Sequence, residues 1–429
     1  MRRARQWAIV NSLYTLLVQT SHVVVRMAAV SRLPDELLEH IFELVADSDP
    51  RFLDIPHRRL RQADIGLACR VCVTWARVGQ SVLFSEVCVV NRPTRAPPTS
   101  SAIESTHQLL AALRLLHARS SDLPHRVRVL HIGALVDCRH GVVYSSLQVA
   151  ADVIALCRGL KHLDFTIGCA PGLQQPMSLP GFASVDVAKL SNVQNLQQLS
   201  VRYVHGDNPS TCTSTGLAHG WLALYQMVRA WPSITHVSCF RDSTAEDGTE
   251  HAWFTKAGPY FLNTTHLYVS MPWVSLEELL PNTATRLRSV TIHTAGGGTF
   301  LTRLPALEEL TFVHLRADEE FDYLSDITNL RSFRCCDPYF DDVCGVLRLL
   351  PPSATHVAVH RDMLDDADGL YAALAHLPSL ERLGIVRQYD NALLEFGKTL
   401  FQGRGVEVVR ETFWWNDDDS EELVPRPLL

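Results

Sequence analysis

The sequence lacks the excess of basic residues that a nucleic-acid-binding chain usually carries. Its 39 lysines and arginines are outnumbered by 46 acidic residues, which gives a formal net charge of −7 over 429 residues. Proteins that bind the phosphate backbone concentrate positive charge on one surface. Because no such excess is present, the composition argues against nucleic acid as a partner.

The sequence also lacks the cysteine pattern of a disulfide framework. Its 11 cysteines are an odd number scattered through a large chain, which is typical of a reducing compartment. This usage favours the cytoplasm or the nucleus. Cys69 and Cys72 form a C-x-x-C pair, but no second pair follows at zinc-finger spacing. We therefore interpret both as small apolar residues within a helix.

A long uninterrupted apolar run is missing as well. The first 31 residues mix arginines with apolar residues, as signal and transit peptides do, but polar residues interrupt them. The segment is a poor membrane span, and no membrane association is predicted. Three interpretations stay open: a leader or over-extended gene model preceding a start at Met27, a disordered tail, or a targeting peptide.

Catalytic motifs are absent from the sequence. It contains neither a G-x-S-x-G nucleophile turn nor an H-E-x-x-H metal motif. His360-Arg361-Asp362 imitates a kinase catalytic loop, but Ala367 stands where that loop needs a metal-binding asparagine. We therefore predict that the chain is not an enzyme and that it needs no cofactor.

Ligand motifs are present only in incomplete form. The glycines at 296–298 lack the Lys-Ser/Thr pair that holds phosphates, and the acidic run at 365–369 lacks the calcium ligand positions, so we interpret that run as a helix start. His356 and His360 would lie on one face of a strand about 13 Å apart, too far to share a metal. All 19 histidines are treated as ordinary surface or core residues, and no metal site is predicted.

What the sequence does contain, near its beginning, is a strongly patterned helix. Pro34 fits the first helical position, and Asp35 and Glu36 place negative charge at the positive end of the helix dipole. Apolar residues then form a stripe that is too wide for one neighbouring helix to cover. The stripe consists of Leu37, Leu38, Ile41, Phe42 and Val45. The uncovered part of the stripe predicts a partner-binding surface.

A second helix is predicted between about residues 63 and 78. Leu67, Val71, Trp75 and Val78 fall on one side of it, and Gly79 stands where a helix can end. Two short helices bury little apolar surface by themselves, so additional packing is expected. A strand is predicted at residues 87–90 and a further helix at residues 106–118.

In their order along the chain, these positions resemble an F-box. The resemblance is carried by Leu33, Pro34, Glu36, Leu37, Leu38, Ile41, Phe42, Val71, Cys72, Trp75, Leu83 and Phe84. It implies that these residues dock on, or pack behind the surface that docks on, the Skp-type adaptor of a cullin ubiquitin ligase complex. The segment at residues 46–62 is longer than the usual connection in that family. The alternative is a helical hairpin packed only on its own chain.

Beyond this region a phrase of the form apolar-x-x-apolar-x-apolar recurs. Its copies begin at Val127, Leu160, Leu196, Ile234, Leu287, Leu307, Leu330 and Leu380, with partial copies around Leu267 and Val357. The later copies are spaced by about 20–26 residues, which is the range of leucine-rich repeats. Each phrase predicts a strand that needs a neighbouring copy to bury it. Helices are predicted between the phrases at residues 146–158, 217–231, 276–280, 339–350, 370–377 and 392–401.

The sequence therefore predicts an α/β fold: a small helical F-box-like module followed by an irregular leucine-rich-repeat-like solenoid of parallel strands and helices. An ordinary α/β sandwich is the alternative. The predicted divisions are a leader or disordered segment at 1–31, the F-box-like domain at 32–90, a proline-rich linker at 91–104, a substrate-recruiting repeat domain at 105–415, and an acidic disordered tail at 416–429.

The resemblance implies a substrate-recognition adaptor of a Skp-cullin-F-box ubiquitin ligase. The F-box would bind the Skp-type adaptor, and the repeat domain would bind an unknown protein substrate. Two alternatives stay open, namely a repeat-type interaction scaffold without ubiquitin function and an enzyme built on an α/β domain.

Overall fold

The computed structural model describes the chain in segments. These are residues 34–46, 65, 69, 72–89, 100–119, 121–136, 144–169, 190, 192–204, 231, 233–241, 263–270, 285–294, 298–315, 320–337, 342–386 and 391–411. Leu33, Val71, the segments at 1–31 and 416–429, and nearly all of the helices predicted at 217–231 and 276–280 lie outside the described residues. In the segments described, no helix is long and apolar enough to cross a bilayer.

In the part of the chain that the structure describes, twelve parallel strands form one sheet, and every strand pairs with its neighbours in sequence. The strands are β1 (Glu86–Cys88), β2 (Val129–Val136), β3 (His162–Cys169), β4 (Gln198–Val204), β5 (His236–Arg241), β6 (His266–Ser270), β7 (Ser289–Thr294), β8 (Glu309–His314), β9 (Ser332–Cys335), β10 (His356–His360), β11 (Arg382–Val386) and β12 (Glu407–Glu411). Sequential order is the topology of a solenoid, in which each repeat contacts its neighbours. The predicted α/β class with parallel strands is confirmed, and the order is consistent with a leucine-rich-repeat-like solenoid.

The recurring phrase is confirmed as the source of the strands and of the core. In the copy that begins at Leu307, the first apolar residue is buried just before β8, and Leu310 and Phe312 are buried within it. The same two strand positions are aligned across the sheet, so that Leu310 pairs with Phe333 and Phe312 with Cys335. Since successive side chains of a strand point to opposite faces, the residues between them lie on the other face.

Backbone hydrogen bonds connect neighbouring repeats at the residues just before each strand, and the same pattern recurs from repeat to repeat. The carbonyl of Arg128 accepts hydrogen bonds from the amides of Lys161 and His162, and the carbonyl of Lys161 accepts in the same way from Gln197 and Gln198. The pattern recurs along the sheet. It fixes the register of each repeat on the one before it.

The helices of the described residues are α1 (Asp35–Ala46), α2 (Val73–Ser85), α3 (Ser100–Ala118), α4 (Leu123–Arg126), α5 (Tyr144–Leu156), α6 (Val343–Arg348), α7 (Ala367–Leu374) and α8 (Asn391–Phe401). Short 3₁₀ helices span Gly298–Arg303, Asp322–Asp326, Arg361–Asp366 and Gln402–Arg404. The predictions for α5 to α8 are confirmed within about four residues at each end, and α3 ends where predicted but begins at Ser100 instead of residue 106. Helix α3 starts inside the segment predicted as a linker, while the division of the chain into domains stays a prediction. The carboxylate of Asp366 accepts a hydrogen bond from the amide of Gly369, so the acidic run does mark a helix start.

The N-terminal module has a small core of its own. Its members are Leu38, Phe42, Ile65, Trp75, Val78 and Val82. The rings of Phe42 and Trp75 meet edge to face, with centroids 5.5 Å apart. Strand β1 follows α2 directly and pairs with β2, so the module continues into the sheet.

The prediction of the second helix at about residues 63–78 is wrong in its continuity and in its end: Ile65 is helical, but the backbone is extended at Cys72, and the helix that follows continues beyond residue 78. Helix α2 begins at Val73, after extended backbone at Cys72, and passes through Gly79 to end at Ser85. Gly79 allows a close approach: a Cβ atom there would lie 2.5 Å from the Sγ of Cys69 and 3.5 Å from both Ile65 and Phe42. Gly79 is therefore required for packing and does not end the helix, contrary to the prediction. The following strand is also displaced, to Glu86–Cys88 from the predicted 87–90.

Candidate interaction surfaces

The structure divides the residues of the F-box resemblance into two groups. Leu38, Phe42 and Trp75 are at most 3% exposed and form the core of the module. Pro34, Glu36 and Leu37 are exposed on or beside the first turn of α1. Cys72, Leu83 and Phe84 are half-buried at the start and near the end of α2, and Ile41 lies within α1. Leu33 and Val71 lie outside the described residues.

Two apolar side chains of the helical module are largely exposed to solvent. Leu37 is 46% exposed and Val73 is 86% exposed, each in the first turn of its helix. An ion pair between Arg77 of α2 and Asp35 of α1 links the two helices. Leu115, in the last turn of α3, is similarly exposed at 53% and belongs to a different part of the chain.

A second surface is the face of the sheet opposite the core, which we call the polar face. It is formed by the first, third and fifth positions of most strands. Its polar character comes from the first positions, since the third and fifth include buried apolar residues such as Val313, Ala358 and Val386. Its first row, from β3 to β12, reads His162, Gln198, His236, His266, Ser289, Glu309, Ser332, His356, Arg382 and Glu407. The row mixes charges of both signs with imidazoles, and it contains no aliphatic residue.

At the beginning of the sheet, a buried histidine joins three strands. The Nε2 atom of His131 lies 3.2 Å from a carboxylate oxygen of Glu86, and its Nδ1 atom lies 2.5 Å from a carboxylate oxygen of Asp164. The imidazole is 3% exposed, while both carboxylates are about one-third exposed. Such a contact ties β1, and with it the helical module, to β2 and β3.

In the middle of the sheet, two histidines of neighbouring strands stack. The rings of His236 and His266 lie 4.2 Å apart between centroids and are nearly parallel, at 7°. The Nδ1 atom of each ring lies within 2.9 Å of the hydroxyl of the preceding threonine, Thr235 or Thr265. Burial, together with the positive charges that His266 and His162 can carry, lowers the pKa of His236 to about 4. Burial also lowers the pKa of His266. Both imidazoles are therefore neutral at pH 7.

Near the end of the sheet, Glu411 reaches across the polar face from β12. Its carboxylate lies 2.5 Å from the Nε2 atom of His356 on β10 and 3.3 Å from the Nε atom of Arg334 on β9. The side chain passes over β11 at Gly384, where a Cβ atom would lie 2.5 Å from the Cδ atom of Glu411. Burial alone would raise the pKa of Glu411, but the hydrogen bond from His356 and the charge of Arg334 outweigh it and lower the pKa.

This last cluster has the composition of a catalytic triad without its geometry. Ser332 pairs with His356 across β9 and β10, and His356 contacts Glu411. The hydroxyl of Ser332 is buried and makes no hydrogen bond, so it neither contacts a base nor reaches solvent. The cluster holds the last strands together and provides no nucleophile.

Metal binding needs clustered ligands, and thiol chemistry needs a cysteine of lowered pKa. Within the described residues, no group of three or more His, Cys, Asp or Glu side chains is arranged to hold a metal ion. Burial raises the pKa of Cys157 and of Cys335 to about 12, which keeps both thiols protonated and unreactive. Cys69 and Cys72 are free and partly buried against the core of the module.

Sequence reasoning treated every histidine as ordinary and so missed the clusters on the polar face. The missed signal is a Thr-His dipeptide immediately before a core position, which occurs at Thr235-His236, Thr265-His266 and Thr355-His356. His356 and His360 were correctly placed on one strand, at the two ends of β10.

No protein-family model matches the chain, and no curated protein matches it significantly. Among solved structures, the chain is similar to a leucine-rich-repeat protein of Leptospira interrogans, at 11% sequence identity and a TM-score of 0.22. The match covers 67% of this chain and 62% of the Leptospira protein.

Proposed function

We propose that the chain is a non-catalytic adaptor. The helical module would dock on the Skp-type adaptor of a cullin ubiquitin ligase, and the polar face of the sheet would bind the protein that receives ubiquitin. The observation that carries the docking role is the exposure of Leu37 on a helix whose next residue, Leu38, is fully buried.

Leu38 and Leu37 have different roles in this proposal: Leu38 packs inside the module, and Leu37 is available for docking. Leu38 joins Phe42 and Trp75 in the core of the module, so its apolar surface is already covered. Leu37 has almost half of its side chain in water, and burying a leucine fully is favourable by about 1.5–3 kcal/mol. A partner that covers the first turn of α1 recovers this free energy, and the F-box resemblance identifies that partner as a Skp-type adaptor.

The sheet supports the second part of the proposal, which is that the chain binds a protein substrate. Repeat proteins present extended surfaces that bind other proteins, and among the described strands the polar row extends from β3 to β12. An adaptor needs no catalytic group, because holding a substrate near the transfer site raises its effective concentration. Selectivity would come from the charged and imidazole side chains of the polar face.

Co-purification with the Skp-type adaptor tests the docking role. Leu37→Ala should weaken binding by about 2 kcal/mol, which is about a 30-fold rise in Kd, if Leu37 is a central anchor. Leu115→Ala is the matched control, since it removes a similarly exposed leucine from α3 and should leave binding unchanged. Trp75 is unsuitable for this test because its replacement would damage the core of the module. Equal binding by both variants would refute the docking surface.

One observation favours a second candidate, a repeat-type scaffold in which the helical module only caps the sheet. Helix α2 packs on α4, where Arg126 donates a hydrogen bond to the hydroxyl of Ser81 over 2.6 Å. The amide of Arg128 also bonds to the carbonyl of Ser85. A module that serves only as a cap would leave the chain folded and bound to other proteins, but it would not bring a cullin into the complex. Detection of a cullin by immunoblot of the purified complex distinguishes the two candidates.

A further inference from the structure

The carboxylate of Glu411 lies between two donors that belong to other strands. One of its oxygens lies 2.5 Å from the Nε2 atom of His356 on β10, and the other accepts a hydrogen bond from the Nε atom of Arg334 on β9 over 3.3 Å. Side chains of two neighbouring strands therefore converge on one carboxylate, with one donor for each oxygen. This is how proteins bind a carboxylate ligand, and here a side chain of the same chain occupies the position.

Small residues leave the room that this carboxylate fills. Ala358 of β10 and Gly384 of β11 are paired in register on the polar face, and both are buried. A Cβ atom at Gly384 would lie 2.5 Å from the Cδ atom and 2.7 Å from the Oε1 atom of Glu411. Ala358 also belongs, with Cys336 and Val386, to a small buried apolar cluster. The position therefore has a narrow floor without polar side chains, beside two donors that suit a carboxylate.

Ser332 indicates that Glu411 does not use every donor near this position. It lies on the same face of β9 as Arg334 and is paired in register with His356. Ser332 is 8% exposed, and its hydroxyl is buried without a hydrogen bond. A carboxylate can accept about four hydrogen bonds, while a buried donor without a partner costs free energy. A carboxylate placed closer to β9 would remove that cost, which Glu411, attached to β12, does not.

We propose that Ser332, Arg334 and His356 form a binding site for an acidic side chain of a partner protein, and that Glu411 occupies this site until the partner displaces it. The inference rests on the proposed binding of a protein at the polar face. It adds one chemical requirement to that protein, which is an aspartate or glutamate side chain that reaches the face at β9 and β10.

The exchange of one carboxylate for another does not require the sheet to open. Glu411 is the last residue of β12, and it is paired with Val386 of β11. Rotation about its side-chain bonds moves the carboxylate away while this pairing stays. The side chains of Arg334 and His356 are 22% and 18% exposed, so a ligand can approach both from solvent. Because the charge of Arg334 is largely buried, it needs an anion beside it, and the incoming carboxylate provides one as Glu411 leaves.

The variant Glu411→Ala empties the site and allows a simple probe to be used. The probe is an acetylated and amidated glycine peptide with one central glutamate, and the same peptide with glutamine is its control. In a ligand-observed NMR titration of the full chain at pH 7, Glu411→Ala should bind the glutamate peptide at least about tenfold more tightly than the original chain does, because the internal competitor is gone. Neither chain should bind the glutamine peptide.

Two results of this titration would overturn the proposal. Glu411→Ala could bind the two peptides equally or bind neither, in which case the site does not recognise a carboxylate. Alternatively, Glu411→Ala could bind the glutamate peptide while the original chain shows no binding at all. Glu411 would then be a permanent part of the sheet that no partner displaces.

A matched pair of arginine variants separates a built site from general attraction to positive charge. In the Glu411→Ala chain, Arg334→Gln should weaken binding of the glutamate peptide by about 10–100-fold, because a charge-assisted hydrogen bond is lost. Arg382→Gln removes the same charge from an exposed arginine that is paired with His356 on the next strand, and it should leave binding unchanged. Circular dichroism confirms that each variant is folded. Equal losses in the two variants would contradict the site.

Ser332→Ala provides a measurement that a purely structural role would not change. In the Glu411→Ala chain it should weaken binding of the glutamate peptide by about 3–10-fold, because the ligand loses a donor. In the original chain it should not lower the urea midpoint, because the hydroxyl has no partner there. Unchanged peptide binding would contradict the role of Ser332. None of these measurements involves the Skp-type adaptor, so their failure is distinguishable from a failure of adaptor docking, which co-purification measures.

Discussion

The helical module and the sheet bury their apolar residues in different ways, and two tryptophans illustrate the contrast. Trp75 lies in the six-residue core of the module, where its indole N–H is buried without a hydrogen bond. Trp231 lies in the long core of the sheet, and its N–H donates to the carbonyl of Leu190 over 2.7 Å. The sheet core repeats the same positions many times and pairs this large buried donor, although the hydroxyls of Thr264 and Ser332 in the repeat region are buried without a hydrogen bond. The module relies on a few large side chains, and the buried N–H of Trp75 without a partner lowers its stability.

The largest effect is expected in the sheet core. Phe312 is fully buried between strands and touches the rings of Phe333 and Phe321. Phe312→Ala should lower the free energy of unfolding by about 3–5 kcal/mol, measured by urea denaturation. Leu115→Ala, at an exposed position, should change it by less than about 0.5 kcal/mol. A small effect at Phe312 would mean that the sheet core is no more tightly packed than the surface.

Replacing each tryptophan by phenylalanine tests the contrast between the sheet core and the module core more closely. Trp231→Phe leaves the carbonyl of Leu190 without its buried donor and should cost about 1–3 kcal/mol. Trp75→Phe removes a donor that has no acceptor, so the penalty of the smaller ring is partly offset and the cost should be lower. Urea denaturation of both variants measures the difference. A larger loss for Trp75→Phe would show that its N–H is not the weak point of the module.

Gly79 tests the packing of the module against simple helix propensity. Replacing a glycine inside a helix by alanine normally stabilises by about 1 kcal/mol. At Gly79 the new Cβ atom would meet the Sγ of Cys69 at 2.5 Å, so Gly79→Ala should instead destabilise by about 1–2 kcal/mol. Gly403→Ala, where nothing lies within 4 Å, should be neutral or slightly stabilising. If Gly79→Ala raises the free energy of unfolding more than Gly403→Ala does, Cys69 does not lie this close to Gly79.

The smallest effects concern pH and belong to the polar face of the sheet. Because the pKa of His236 falls to about 4 from 6.5 on folding, the unfolded chain takes up this proton first as the pH drops. The free energy of unfolding should therefore decrease between about pH 6.5 and pH 4, and His236→Gln should flatten that decrease. Folding lowers the pKa of Glu411 from 4.5, so its contribution is present above pH 4.5 and is lost in more acidic solution. Glu411→Gln should therefore alter only the acidic part of the curve. Urea midpoints measured from pH 8 to pH 3.5 would contradict this if both variants ran parallel to the original chain.

Much of the sheet could be predicted because its signal is local. Each phrase places apolar residues two apart within one strand, and this spacing alone predicts the buried face of β8 or β11. Contacts between distant residues could not be predicted. Gly79 resembles a helix end until Cys69 is seen against it. Glu411 of β12 meets Arg334 of β9 from 77 residues away only because the two strands between them, β10 and β11, lie in register. The histidine stack depends in the same way on the register of β5 and β6, although the repeated Thr-His dipeptide marks its members.

Hydrogen exchange with the purified Skp-type adaptor tests the central claim most directly, because it locates the contact without changing the chain. Mass spectrometry of the chain with and without the adaptor should show slower exchange in α1 and in the first turns of α2, around Leu37 and Val73. Exchange in β8 to β12 should be unchanged. Unaltered exchange in both helices at saturating adaptor, or protection confined to the sheet, would contradict the proposed docking surface.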